Sequence, residues 1–161
     1  RTRCQQLHDN TGENNGTHPD VIAVYIGIND FNNGSTLGTF KNLSEVYTEE
    51  EGYITPETVA QAYAIMVHKM TVMYENSDIF LFTLPANGTN KNTELLAKYN
   101  NVINEIAEHF DCYVVDLANI EGYNYATYTS DGLHPNELGM DLITDLFVRT
   151  LKEVYLTETV R

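Results

Sequence analysis

Val21-Ile22-Ala23-Val24-Tyr25-Ile26-Gly27-Ile28-Asn29-Asp30 is the stretch on which the reading of the fold turns. From Val21 to Ile26 it is continuously apolar and rich in β-branched side chains. That is the pattern of a strand covered on both faces, and hence of a parallel sheet flanked by helices. Gly27 ends the run. Ile79-Phe80-Leu81-Phe82-Thr83-Leu84, closed by Pro85, predicts a second strand of the same kind, and Cys112-Tyr113-Val114-Val115-Asp116-Leu117 a third. Helical spacing fills the gaps between them. Thr55-Pro56 reads as an N-cap followed by a proline at the first helical position, with Val59, Tyr63, Met66, Met70 and Met73 behind it, to about Asn76. The three methionines at that spacing are core, not a soft ligand-binding stripe. Leu95, Leu96, Tyr99, Val102, Ile103, Ile106 and Phe110 mark another helix. Pro135 opens the last, with Leu138, Leu142, Ile143, Leu146, Phe147, Leu151 and Val154 along one side. Alternating strands and helices predict an α/β fold with a mainly parallel sheet and right-handed crossovers.

The chain has 161 residues, which suits a single domain over 1–161 with a sizeable core. Nine Lys and Arg against 23 Asp and Glu give a net charge of −14, so a phosphate backbone is repelled and nucleic acid is excluded as a partner. No run of about 18 apolar residues exists to form a membrane-spanning segment. Cys4 and Cys112 lack CxxC or Cys/His spacing, so neither a disulfide framework nor a zinc site is expected. Residues 1–20 are polar and read as a short helical remnant and a loop. The stretch 31–55, with Asn32, Asn33, Gly34, Gly38 and Glu49-Glu50-Glu51-Gly52, is too long for a plain connector. It is expected to be a specificity loop or partial lid, the alternative being a solvated mobile loop. Triplets of the type Asn-x-Ser/Thr at Asn15, Asn33, Asn42 and Asn87 fit an extracellular setting.

Ligands of such sheets bind at the carboxyl ends of the strands, so the loops after Ile26, Leu84 and Leu117 are expected to face one crevice. In the first, Gly27 permits a tight turn and Asn29 offers a neutral amide donor suited to an oxyanion. An Asx turn at Asn29 and Asp30 is the structural alternative. Just before the last helix comes Ser130-Asp131-Gly132-Leu133-His134-Pro135. Asp131 and His134 are spaced so that the carboxylate can reach the imidazole Nδ1, fix the tautomer and leave Nε2 as a base. An N-capping Asp131 beside a surface His134 is the alternative there.

Taken together, GxND after the first strand and DGxHP before the last helix resemble the SGNH (GDSL-like) hydrolase family, as does the strand Phe82-Thr83-Leu84-Pro85. The resemblance runs from about Pro19 to Leu151. It implies a flavodoxin-like three-layer α/β/α sandwich, ester hydrolysis by a serine nucleophile, and no metal or organic cofactor. It also implies that Asn29 donates to the oxyanion, that His134 is the general base oriented by Asp131, and that Gly27 and Asp30 are parts of the turn.

The family's nucleophilic serine belongs to a GDS-type motif that has no match here. Ser35, Ser44, Ser77 and Ser130 are the serines present, and none has that context. The family sheet has further strands before the one seen first. The chain opens at Arg1 without an initiator Met or a signal peptide. We therefore expect an amino-terminally incomplete domain whose first two strands and serine lie in a missing segment, leaving this chain inactive alone. The expected substrate is a small-molecule ester, either an acylated carbohydrate or a lipid ester. Two other functions compete with this one. One is a non-catalytic glycan-binding SGNH-like module using Tyr123, Tyr125 and Tyr128. The other is a metal-dependent hydrolase using Asp30, Asp131 and His134, which lacks a second His or a carboxylate pair at ligand spacing.

Overall fold

In chain order the elements are β1 (Val21–Val24), α1 (Ile28–Asn33), a 3₁₀ turn (Leu43–Glu45), β2 (Tyr47–Thr48), β3 (Gly52–Tyr53), α2 (Val59–Met73), β4 (Asp78–Phe82), α3 (Thr93–His109), β5 (Tyr113–Val115), α4 (Tyr125–Tyr128) and α5 (Glu137–Glu158). This is a computed structural model, and it describes residues 19–158. The helical remnant expected within 1–20, Cys4 and the Asn15 triplet therefore lie outside the described residues, apart from Pro19 and Asp20.

The main sheet is parallel, in the order β1-β4-β5, with Ile22 opposite Ile79 and Phe80 opposite Tyr113. Alternation along β4 builds two cores. Ile79 and Leu81 join Val24 and the inner faces of α2 and α3, while Phe80 and Phe82 lie with Val115 under Ile143, Leu146, Phe147 and Leu151 of α5. Helices thus cover both faces of the sheet. The architecture is the expected α/β/α one. Among the described residues no helix is long and apolar enough to cross a membrane.

The structure shortens each predicted strand and moves two helix starts. Only β4 is buried almost throughout, from Ile79 to Phe82. β1 is an edge strand of the described sheet, Ala23 is exposed, and Tyr25 and Ile26 leave the ladder to stand 38% and 45% exposed. Helix α2 starts at Val59, not at Thr55-Pro56, because Thr58 and Gln61 form a capping box that satisfies two backbone donors at once. It also ends earlier than expected, at Met73 with Tyr74 as its C-cap. Helix α5 starts at Glu137. Asn136 Oδ1 accepts the Gly139 N–H (3.0 Å), while Pro135 is held in a bridge to Thr129. His134 therefore lies three residues ahead of the first helical residue, Glu137.

The stretch 31–55 is not a plain loop. Phe31, Phe40 and Val46 are buried in the α2/α3 core, and Phe40 stacks on Phe110 (5.7 Å between centroids). The β2–β3 hairpin pairs Tyr47 with Tyr53, whose hydroxyl lies 3.0 Å from His68 Nδ1 on α2. Two-residue strands carry too little periodicity to be read from sequence. At the other end of the sheet, buried Asn100 of α3 donates to the Leu84 carbonyl (2.9 Å) and accepts the Leu84 N–H (2.7 Å). This pins the chain as it leaves β4 and enters the site.

Candidate active site

After β1 the chain turns at Gly27 with φ 105°, a left-handed conformation that glycine adopts without strain. Its carbonyl accepts the Phe31 N–H (3.0 Å) and starts α1. Space is not what demands glycine here, since an added Cβ would meet the Leu84 methyls at an ordinary 3.8 Å. Asn29 and Asp30 sit exposed in that first turn of α1. Neither side chain accepts a backbone N–H there, so the Asx-turn alternative has no hydrogen bond to support it among the described residues.

The second motif folds locally as its spacing requires. Asp131 Oδ2 lies 2.7 Å from His134 Nδ1, and Oδ1 accepts the N–H groups of His134 (2.8 Å) and Leu133 (3.0 Å). With the carboxylate ionised, the proton rests on Nδ1 and the Nε2 lone pair is free. The backbone N–H of His134, then its ring, then the Leu133 N–H hold the Asp131 carboxyl down at about 2. Because that value lies below the ordinary 3.8, these contacts are fully present above that ordinary value and are lost as pH falls through about 2. An NMR titration of the Asp131 carboxyl is expected to show a midpoint near the lower figure. A midpoint at the ordinary value would mean that the motif is not held in solution. The loop is closed by the Ser130 N–H donating to the His134 carbonyl (2.8 Å).

The loops after β1, β4 and β5 converge as the fold predicts. Tyr25, Ile26, Ile28 and Asn29, then Pro85 and Asn87, then Tyr123, Leu133, His134 and Pro135 line one cavity of about 190 Å³. Its walls mix apolar side chains with polar groups, among them Asn29, Asn87 and His134. Burial, and secondarily the neighbouring Tyr123, push the Tyr25 phenol up to about 12, so it stays protonated. Reading the sequence missed Tyr25 as a wall residue because it extends the apolar run of β1. It missed Asn87 because Asn87-Gly88-Thr89 looked like a glycosylation triplet; at 4% exposure that side chain is not available for modification in the folded chain.

Residues 31–55 are not among those that line this cavity. That stretch instead contributes Thr39, Phe40 and Lys41 to a shallow groove of about 520 Å³ whose other wall is Glu105, Glu108 and His109 of α3. The groove is larger, but it carries neither of the two motifs. Three of the four serines have hydroxyls engaged elsewhere: Ser130 donates to the His134 carbonyl, Ser77 to the Pro19 carbonyl and Ser44 to Asn42 Oδ1. Among the described residues no group of three His, Cys, Asp or Glu is placed to hold a metal ion, so the Asp30/Asp131/His134 metal reading gains no support. Cys112 is free and half-buried, and burial pushes its thiol up to about 11.

The parallel sheet between two helical layers defines an α/β/α domain of the GDSL kind. The model of the GDSL-like Lipase/Acylhydrolase family matches residues 1–142, and the chain belongs to that family. A multidomain esterase of Ruminococcus flavefaciens is 29% identical over an alignment of 131 residues that covers 76% of this chain. The chain spans only 14% of that relative's length. Among solved structures, a protein from Lactobacillus plantarum superposes with a TM-score of 0.68 at 17% identity, covering 83% of this chain and 67% of the other. The acetyl xylan esterase AlAXEase gives 0.58 at 21% identity, covering 82% and 67%. At such identities these two likenesses speak to the fold.

Proposed function

We propose that this chain forms the base-bearing part of a serine esterase, with His134 as general base, Asp131 as its orienting carboxylate and Asn29 as an oxyanion donor. The observation that carries the reading is the 2.7 Å Asp131–His134 pair opening into the same cavity as Asn29, whose amide makes no side-chain hydrogen bond to the described residues. The serine comes from a preceding segment outside this chain. Its hydroxyl attacks the ester carbonyl while Nε2 of His134 takes its proton. The resulting oxyanion is held by Asn29, and collapse expels the alcohol, which receives the proton back from His134. Water then attacks the acyl-serine, His134 accepts its proton, and the carboxylic acid leaves as the serine is reprotonated.

The substrate we favour carries a small acyl group on a carbohydrate. The likeness to an acetyl xylan esterase supports it. The glycan-binding alternative loses much of its basis, because Tyr123 and Tyr128 stack on each other at 5.7 Å and Tyr125 packs beside Gly88. Asn29→Ala tests the site. In the full-length protein it is expected to lower kcat about 100- to 1,000-fold with the fold retained. Loss of folding instead would assign Asn29 to the turn alone.

A further inference from the structure

Asn87 brings a buried amide to the wall of the same cavity. Its Oδ1 accepts the backbone N–H groups of Thr89 (2.9 Å) and Asn90 (3.0 Å), an Asx turn that also fixes which end of the amide carries hydrogen. Nδ2 then has no partner among the described residues, although it is buried. Buried donors of this kind are rare and call for an explanation, because their desolvation is not offset in the free protein. Asn32 also has buried amide atoms without partners, but it does not line the cavity.

The loop that carries Asn87 is tied to both halves of the site. The Gly88 N–H donates to the Gly132 carbonyl (2.6 Å), between Asp131 and His134 in sequence, and Asn90 Nδ2 donates to the Phe31 carbonyl (2.9 Å) in α1, which carries Asn29. A Cβ at Gly88 would stand 3.1 Å from the Tyr125 ring and 3.2 Å from Gly132 Cα, so the loops meet backbone to backbone. We propose that Asn87 Nδ2 is a second side-chain donor to the bound ester, held in register with Asn29 and His134 by these two ties. The inference rests on the esterase reading above.

The turn needs Oδ1 and the proposed contact needs Nδ2, so Asn87→Asp keeps the first and removes the second. Asn87→Ser, whose short hydroxyl also supports such turns, separates loss of the donor from the charge that Asp introduces. In the full-length protein, with p-nitrophenyl acetate as probe, both variants are expected to keep Tm within a few degrees. Both should lose about 100-fold in kcat, with little change in KM, across the pH profile. Wild-type kcat in either folded variant would overturn the proposal and leave Asn87 as a turn residue. His134→Ala run alongside separates the two claims: turnover retained there removes the esterase reading itself, whereas turnover lost there but kept in both Asn87 variants removes this inference alone.

Discussion

His134→Ala in the full-length protein is expected to lower ester turnover by at least about 1,000-fold while Tm stays unchanged. The His134 side chain is 73% exposed, and its ring contact is with Asp131, so its removal opens no core cavity. The loop geometry does not depend on the ring. It is held by the backbone of His134 with Ser130 and of Gly132 with Gly88, and by the Thr129–Pro135 bridge. What the substitution takes away is the group that accepts the serine proton and later the water proton, and members of such a unit act together. A fall in turnover with a parallel fall in Tm would point to a structural role for the residue instead.

Phe80→Ala is expected to cost about 3–5 kcal/mol in unfolding free energy, measured by urea denaturation. Phe80 lies in the centre of β4 with no exposed surface, its ring 4.9 Å from that of Tyr113 and 5.5 Å from that of Phe147 on α5. Truncation leaves a cavity between the sheet and α5 that neither neighbour can fill by simple rotamer change. Against a typical total of about 5–15 kcal/mol, that loss takes a large share of the stability. Leu138→Ala on the outer side of α5 is the control. At 57% exposure it is expected to stay within about 0.5 kcal/mol of wild type. A cost for Phe80→Ala as small as the control's would mean that α5 is not seated on this face of the sheet.

How far the sequence could be read depended on how local each determinant was. β4 was clear because every residue from Ile79 to Phe82 is buried, leaving a continuous apolar run. In β1 the same kind of run misled at its end, since Tyr25 and Ile26 are apolar to line a cavity, not to continue a strand. Thr55-Pro56 and Pro135 were plausible helix starts from residue preference alone, but the paired hydrogen bonds of Thr58 with Gln61 and the cap at Asn136 decide the boundaries. Residues 31–55 looked solvated because their anchors Phe31, Phe40 and Val46 are sparse, although each is buried against distant helices. The Asp131–His134 pair was readable because three-residue spacing is enough to make it. Asn87 was not, because its place depends on Gly88 meeting Gly132, more than forty residues further along the chain.

The most direct test of serine-type ester hydrolysis in this cavity is to label the full-length protein with a fluorophosphonate while following p-nitrophenyl acetate turnover and intact mass. We expect one adduct per chain, turnover abolished in proportion to labelling, and no adduct in the His134→Ala variant. Turnover that persists at full exposure to the reagent, or labelling that His134→Ala does not diminish, would contradict the assignment.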